Sequence, residues 1–370
     1  MPREMEHSEI PRHHLAGNFY LLLVWKTIYC VHLRHKILKN TIMADLTTTF
    51  AGLKLSNPII VSSSGLTKTA ENNARLAEAG AGAVVIKSLF EEQILFETQQ
   101  MLDDNAYGHS EAYDYLGTFV RQNKLDDYLT VIKESKKMCN IPVIASINCH
   151  SDSEWVNFAT EIEKAGADAL EINILSLQTQ GSFKYEFGAF EKAHIEILKH
   201  LKKMIRIPVI MKLGNNFTNP VALVEQLKFN GADAVVLFNR FYPFDVDVDA
   251  MKAASGQVLS TKAELSNPLR WAGIVSHAVK NVDIAVSGGV HDGDDVVKSL
   301  LVGAAAVESC SVFFEKGIAQ IAAMKARLEA WMNDHDFDTI AQFKGLLDAG
   351  SVGADLFERT QFIKYFGGKE

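Results

Sequence analysis

Two phrases rich in glycine and serine near the C-terminal end of the chain have the composition of an anion site. One reads Ser-Gly-Gly and ends at Gly289, and the other reads Ser-Cys-Ser and ends at Ser311. Glycine lets backbone N–H groups approach a ligand closely because it has no side chain, and a serine hydroxyl bonds a phosphate or caps a helix. The phrases predict a phosphate site between them, with an ordinary turn and helix cap as the alternative.

Two lysines each end a run of apolar residues. Lys87 follows Ala-Val-Val-Ile, and Lys212 follows Pro-Val-Ile-Met. A lysine is rarely buried without a partner, so each ammonium group requires an anion nearby. A pair of them favours an anionic ligand, whereas a structural ion pair is the alternative for either one alone.

Other residues that can form hydrogen bonds with a ligand, through side chains or through the backbone, also stand where apolar runs end. They are Ser62, Ser63, Ser64, Gly65, Ser88, Asn148, Glu171, Asn173, Ser176, Asn239, Arg240, Glu308 and Ser309.

The elements that position these residues repeat along the chain. Phrases such as AGAGAVVIKS and NGADAVVLFN alternate with phrases such as IPVIASIN and IPVIMKLG, and together they give eight short buried strands. Amphipathic stretches of helical length separate them. This alternation predicts parallel strands joined by right-handed crossovers, and eight such units predict an α/β fold of the (β/α)8 TIM-barrel type. An open, doubly wound sheet is the structural alternative.

Two connections are long, from about Leu89 to Gly117 and from about Arg240 to Glu264. Both leave the C-terminal end of a strand, where barrel enzymes build their sites, and loops of this length are usually functional. After the eighth strand, 313–333 is expected to form one long closing helix. Asp292 and Asp294 are expected to cap and charge a helix, and no metal site is predicted.

Composition excludes several classes of partner. The 370 residues carry a net charge of −8, which argues against nucleic acid and against an acidic membrane surface. Cys30, Cys139, Cys149 and Cys310 form no Cys-x-x-Cys pair, so neither a zinc site nor an iron–sulfur cluster is predicted. Cysteines without a disulfide pattern indicate a reducing compartment, and we expect a cytoplasmic protein.

The first 42 residues differ from the rest. Their apolar run, Phe19 to Leu33, is interrupted by Lys26 and is shorter than the ~20 residues of a spanning helix. We expect residues 1–42 to be an N-terminal extension outside the folded domain, and residues 43–370 to form the barrel. The alternatives are a signal peptide and an amphipathic element on a membrane surface.

From about Thr47 to Lys344 the chain resembles the dihydroorotate dehydrogenase family. The matching stretches are TTFAGLKLSNPIIVSSSG, AVVIKS, EINILS, PVIMKL, VSGGV and SCSVFFEKG. The family is an FMN-binding (β/α)8 barrel that oxidises dihydroorotate to orotate in pyrimidine synthesis. The resemblance thus implies a flavoprotein oxidoreductase with FMN as cofactor and a small-molecule substrate.

The resemblance also implies residue roles. The serine and glycine after the first strand would lie near the flavin ring, the two lysines would bond its pyrimidine end, and the C-terminal phrases would hold its phosphate. The expected cofactor-binding residues are Ser64, Gly65, Lys87, Ser88, Asn173, Lys212, Gly288, Gly289, Cys310 and Ser311. The expected substrate-binding residues are Lys87, His109, Asn173, Gln178 and Asn239.

Ser176 is the expected catalytic base, because it holds the fourth place of the family's Asn-x-x-Ser/Cys phrase. A serine hydroxyl is a poor base unless a relay removes its proton, and Thr179 or a water would provide one. A loop hydroxyl that bonds backbone is the alternative for Ser176.

Departures from the family pattern leave the substrate open. Leu177-Gln178 replaces the usual Pro-Asn, His109 stands in a stretch that is normally rich in asparagine, and Arg240 replaces a small hydroxyl residue. The alternatives to a dihydroorotate dehydrogenase are an FMN enzyme for another dihydropyrimidine or cyclic amide, and a flavin-binding subunit without turnover. The electron acceptor (fumarate, a quinone or NAD through a partner) stays open, and a homodimer is plausible.

Overall fold

The computed structural model describes residues 44–91, 94, 96–100, 110–148, 152–181, 184 and 186–358. The described residues from Asp45 onward belong to one compact unit. The expected extension, residues 1–42, and His109 lie outside the described residues.

Eight parallel strands close into a barrel, which confirms the predicted (β/α)8 fold. The barrel strands, together with one short strand at the rim (β5), are β3 (Ile59–Val61), β4 (Ala83–Val85), β5 (Leu89–Phe90), β6 (Val143–Asn148), β7 (Ala169–Asn173), β8 (Val209–Leu213), β9 (Ala234–Leu237), β12 (Asp283–Ser287) and β13 (Ala306–Ser309). The hydrogen-bonded order around the ring is β3-β4-β6-β7-β8-β9-β12-β13, and β13 pairs with β3 to complete it. The short strand β5 extends the pairing of β6 at the rim.

A hairpin that the sequence patterns did not predict packs into the same core as the starts of the strands. It is formed by β1 (Thr48–Phe50) and β2 (Leu53–Leu55). The buried Phe50 side chain packs in one core cluster with Ile60 and Ile210 of the barrel strands. The Thr48 hydroxyl donates to the Ala305 carbonyl oxygen, and the backbone of the hairpin turn donates to the Asp283 carboxylate. The hairpin therefore closes the end of the barrel opposite the strand C-termini.

Helices connect the strands as the amphipathic stretches predict. They are α1 (Ala70–Glu78), α2 (Ser110–Met138), α3 (Asp152–Ala165), α4 (Ala189–Met204), α5 (Pro220–Phe229), α6 (Ser266–Ala278), α7 (Gly293–Leu301), α8 (Ser311–Lys316), α9 (Gln320–Asp334) and α10 (Ala349–Val352). The expected single helix over 313–333 is wrong, because α8 ends at Lys316 and α9 begins at Gln320. Gly317 follows α8 with a φ of +79°, in the left-handed region that terminates a helix.

The long connection after β9 contains a second hairpin, formed by β10 (Phe244–Asp247) and β11 (Lys252–Ser255). Its strands are largely exposed. A single 3-10 turn, Lys262–Leu265, then leads into α6. Within the described ranges, no helix has the length and apolar character that crossing a membrane requires.

Gly82, at the entry to β4, offers a test of strand packing. A Cβ atom at this position would overlap the Asn57 carbonyl oxygen, which is backbone and cannot swing away. We expect Gly82→Ala to lower the free energy of unfolding by about 1–3 kcal/mol, the usual cost of overpacking. Urea denaturation followed by circular dichroism measures it.

Gly117→Ala is the matched control. Gly117 lies within α2, and an added Cβ there would make an ordinary contact of 3.7 Å with Thr98. Alanine is the better helix former by about 1 kcal/mol, so this variant should be as stable as the parent or more stable. Equal denaturation midpoints for both variants would contradict the packing argument.

Candidate active site

A cavity of about 600 Å³ opens at the C-terminal ends of the barrel strands. Its walls come from the ends of β3, β4, β7, β8, β9, β12 and β13 and from the segment that precedes α6. The volume lies within the range of small-molecule and cofactor sites. Ser63, Phe90, Leu175, Tyr242, Leu259, Ser260 and Phe314 line it in addition to the residues discussed below.

The structure brings most of the predicted site residues together in this cavity. All ten of the expected cofactor-binding residues line it, and so does Asn239. Ser176 and Gln178 are not among the lining residues, although Leu175 is. The position of His109 falls outside the described residues.

The Lys212 ammonium group is held by two carboxylates and one hydroxyl group. Its ammonium nitrogen donates to Glu308 Oε2 at 2.6 Å and to Ser62 Oγ at 3.1 Å, and it lies 3.6 Å from Glu171 Oε1. Burial lowers the pKa of Lys212, but the charges of Glu171 and Glu308 outweigh it and raise the pKa above its ordinary value. For Lys212, the structure therefore contains the structural ion pair that the sequence left open as the alternative to an anionic ligand.

Glu171 is the second carboxylate of this buried group, and it has no exposed surface. Burial and the repulsion of Glu308 raise its pKa to about 8, although Lys212 opposes the shift. The Glu171 Oε1 atom accepts from the Ser146 hydroxyl at 3.0 Å. Sequence reasoning placed both glutamates at strand ends but did not identify them as the partners of Lys212.

Lys87 differs from Lys212 although both end similar strands. Lys87 is half-buried in the cavity wall, and within the described part of the chain its ammonium group makes no hydrogen bond or ion pair. It is thus available to an anionic group of a ligand. The two lysines follow similar apolar runs in the sequence, but their ammonium groups have different environments in the structure.

The glycines of the first phrase adopt backbone conformations that other residues rarely take. Gly288 and Gly289 have φ angles of +94° and +77°, and a Cβ on Gly289 would overlap the backbone of Leu265. The turn therefore requires glycine, and it packs directly against the segment that leads into α6. The Ser311 hydroxyl accepts from the Ser260 backbone N–H at 3.0 Å and does not cap a helix with its side chain.

Two amide side chains meet between neighbouring strand ends. Asn239 donates to the Asn173 side-chain oxygen. Asn239 also accepts from the Arg240 backbone N–H through its own oxygen. Each amide is thereby fixed in orientation, so the polar atoms that remain face the cavity in a defined arrangement.

Arg240 anchors the long connection after β9. Its guanidinium donates to Glu264 Oε2 at 2.7 Å and to the carbonyl oxygens of Val258 and Gln257 at 2.6 and 2.7 Å. Glu264 also accepts from the backbone of Thr261. The sequence marked this arginine as a departure from the family, and the structure shows its use: it holds the wall segment 257–264 over the cavity.

Ser176 lies in the irregular segment after β7. Its hydroxyl accepts from the Gln178 amide at 3.3 Å, and its carbonyl oxygen accepts from Asn216 at 3.0 Å. Among the described residues no carboxylate or imidazole bonds this hydroxyl. Thr179, the expected relay, is exposed.

Asp292 caps α7 and Asp294 adds negative charge to its first turn, as predicted. Asp295, which was not predicted, completes the capping box, and Asp292 pairs with Lys262. The described residues contain no cluster of three or more His, Cys, Asp or Glu side chains that could hold a metal ion. Cys139 and Cys310 are free thiols, and the other two cysteines lie outside the described residues.

A parallel barrel with a cavity at the C-terminal ends of its strands is the arrangement in which barrel enzymes place their active sites. The family model for dihydroorotate dehydrogenase matches residues 45–332. The chain belongs to the dihydroorotate dehydrogenase family, and it is an oxidoreductase that acts on CH–CH groups.

Two relatives indicate the range of the family. The chain is 26% identical over 319 residues to the catalytic subunit of dihydroorotate dehydrogenase B (NAD(+)) from Thermoplasma volcanium, which covers 82% of this chain and 99% of the relative. It is also 23% identical over 342 residues to the NAD-dependent dihydropyrimidine dehydrogenase subunit PreA from Escherichia coli K12. This second alignment covers 86% of this chain and 80% of the relative.

The role of Arg240 can be tested by hydrogen exchange. Arg240→Met removes one charge-assisted ion pair and two bonds to backbone carbonyls, each bond to a charged group contributing about 1.5–3 kcal/mol. We expect the amides of 257–264 to exchange at least about tenfold faster, because local opening costs less. Mass spectrometry of exchanged peptides measures this.

Lys192→Met serves as the control, since Lys192 pairs with Glu186 on an exposed surface away from the cavity wall. This variant should leave the exchange of 257–264 unchanged. If the amides of 257–264 exchange equally slowly in Arg240→Met and in the parent, Arg240 does not anchor the wall.

Proposed function

We propose that this protein is an FMN-dependent oxidoreductase that oxidises dihydroorotate to orotate. The observation that carries the proposal is the shared cavity, which is lined by the glycine turn, the two asparagines and a lysine whose ammonium group has no partner among the described residues. Membership of the family supports the same reading.

The donor set fits FMN. Gly289 has no room for a side chain, and both Gly288 and Gly289 have positive φ, so the backbone N–H groups of this turn would be accessible to a phosphate. Cys310 and Ser311 complete that end of the cavity. Ser64, Gly65 and Ser88 would border the ring system, and Lys212 would supply a fixed positive charge at the floor.

Bound FMN would supply the acceptor for the hydride that leaves the substrate. The protein's own residues would orient the substrate ring and manage its protons. Asn173 and Asn239, each fixed by the other, would bond the ring amides, and Gln178 would add a contact from the irregular segment after β7.

Ser176 would receive the proton that the neighbouring substrate carbon loses. Its hydroxyl does not line the cavity, so the proposal requires the segment after β7 to close over a bound substrate, which brings Ser176 Oγ to the ring. The weak bond from the exposed Gln178 side chain, at 3.3 Å, leaves this hydroxyl free to turn.

A second candidate is an enzyme for an uncharged dihydropyrimidine. The similarity to a dihydropyrimidine dehydrogenase subunit favours it. Lys87 distinguishes the two candidates, because dihydroorotate carries a carboxylate that an uncommitted ammonium would bind, whereas dihydrouracil does not. We therefore expect dihydroorotate to be the better substrate.

Lys87→Met should weaken binding of dihydroorotate about 10- to 100-fold, the value of one charge-assisted hydrogen bond, and leave dihydrouracil little affected. Anaerobic stopped-flow mixing with FMN-loaded protein measures the concentration dependence of flavin bleaching for each compound. Lys68→Met, at an exposed lysine outside the cavity, is the control.

Bleaching of the parent by dihydrouracil but not by dihydroorotate would replace the first candidate with the second. A protein that binds FMN but is bleached by neither compound would be a flavin-binding subunit. A protein that neither contains FMN nor takes it up would overturn the proposed function.

Ser176→Ala should slow flavin reduction about 10²- to 10⁴-fold, the usual contribution of a general base, while the FMN content stays that of the parent. Ser255 is an exposed serine of the second hairpin, and the flavin of Ser255→Ala should be reduced at the parental rate. Unchanged reduction in Ser176→Ala would remove this residue from the mechanism.

A further inference from the structure

Beneath the cavity, one buried cation faces two buried carboxyl groups. Lys212 contacts both Glu308 and Glu171, at 2.6 and 3.6 Å. The two glutamates are at most 1% exposed, so water does not solvate their charges. With all three groups ionised the cluster would hold an uncompensated negative charge in a medium of low dielectric constant, which is strongly unfavourable.

The unpaired oxygens indicate how the cluster avoids that charge. Glu171 Oε2 and Glu308 Oε1 are both buried and both lack a hydrogen-bond donor among the described residues. Both carboxyl groups face the same ammonium nitrogen, and burial together with the charge of Glu308 favours the protonated form of Glu171. A proton on one of the two groups removes the excess charge and supplies a donor, since an ionised carboxylate is an acceptor only.

A chain of hydroxyl groups links this pair to the cavity. Ser63 Oγ lies 3.0 Å from Ser88 Oγ, and Ser88 Oγ lies 2.7 Å from Ser146 Oγ. Ser146 donates to Glu171 Oε1 at 3.0 Å. Ser63 and Ser88 line the cavity, so the chain is continuous from the cavity wall to the buried carboxyl group.

The other groups near the cluster keep their charge states near neutral pH. Tyr128, which faces Glu171 from α2, and Cys310, which faces Lys212 and Glu308, are both neutral because burial raises the pKa of each. Lys212 stays protonated. Among the described groups of the cluster, the glutamate pair is therefore the one whose charge can change.

We propose that Glu171 and Glu308 share one proton, and that this proton exchanges with the cavity through Ser63, Ser88 and Ser146. When the pair gains a proton, Ser146 gives its hydroxyl proton to Glu171 Oε1 and takes one from Ser88, which takes one from Ser63. A cavity water gives the last proton to Ser63 and is itself re-protonated from bulk solvent, so the net change is the transfer of one solvent proton to the pair, and no electron moves.

The role of this exchange rests on the proposed function. A cofactor that becomes more negative on accepting a hydride raises the proton affinity of a nearby carboxyl pair. Where the pair is partly ionised, near pH 8 and above, it would then take up the shared proton and offset the new charge. Glu171 and Glu308 are in this sense positioning residues that act through Lys212 and the local field, and they do not touch the reacting atoms.

Infrared difference spectroscopy of the full-length, FMN-loaded protein tests the shared proton. A buried protonated carboxyl group has a carbonyl band that an ionised one lacks. We expect such a band to disappear with a midpoint near pH 8. Glu171→Gln and Glu308→Gln should each abolish it, because either change leaves one carboxylate paired with Lys212. Glu225→Gln, on the exposed face of α5, should retain it.

Absence of the band in the parent, or its persistence in both single variants, would overturn the proposal. Should one variant fail to fold, the other decides the outcome. The band does not require a working cofactor. A parent that binds no FMN would therefore contradict the proposed function, while the titration of the band still decides the inference.

The pH dependence of the flavin midpoint potential tests the coupling. At pH 8, where the pair in the oxidised parent holds its proton in about half of the molecules, the parent should take up as much as about half a proton more per reduced flavin than Glu171→Gln does, by the linkage between proton binding and equilibrium. Ser146→Ala should keep that proton number but slow the response of the carbonyl band after a pH jump. Equal proton numbers in the parent and Glu171→Gln would exclude the coupling.

Discussion

Closure of the sheet, through the pairing of β4 with β6 and of β13 with β3, is the constraint on which the rest of the molecule depends. Since all strands of the ring are parallel, closure brings every strand C-terminus to one rim. It also leaves an interior too narrow for bulk water. Polar side chains that point inward, such as Lys212 and Glu308, must then satisfy one another.

This condition explains how charge is distributed around the cavity. Lys212 is held by carboxylates at the floor, and Arg240 is held by Glu264 and two carbonyl oxygens at the wall. Both are thus structural cations. Lys87 makes no such bond to any residue that the structure describes, so its ammonium group differs in environment from the other two.

Rigidity and adaptability are separated in space. The strand ends and the glycine turn are fixed by the barrel, whereas the contacts expected to recognise a substrate come from the irregular segments after β4, β7 and β9. Arg240 makes the last of these segments part of the wall, while Ser176 and Gln178 stay outside the cavity lining. In such an arrangement the fixed strand ends can keep the same chemistry, while changes in the irregular segments alter which substrate is bound.

The sequence by itself determined the eight strands, the barrel and the glycine turn, because apolar runs and glycine conformations are local properties. It also identified most cavity residues, since parallel strands present their last residues at one rim. Tertiary structure alone decided the two hydrogen-bond partners of Lys212, which lie 96 and 150 positions away along the chain. It also decided the anchoring by Arg240 and the hairpin under the barrel. Strand register and tilt set these contacts, and no pattern of neighbouring residues encodes them.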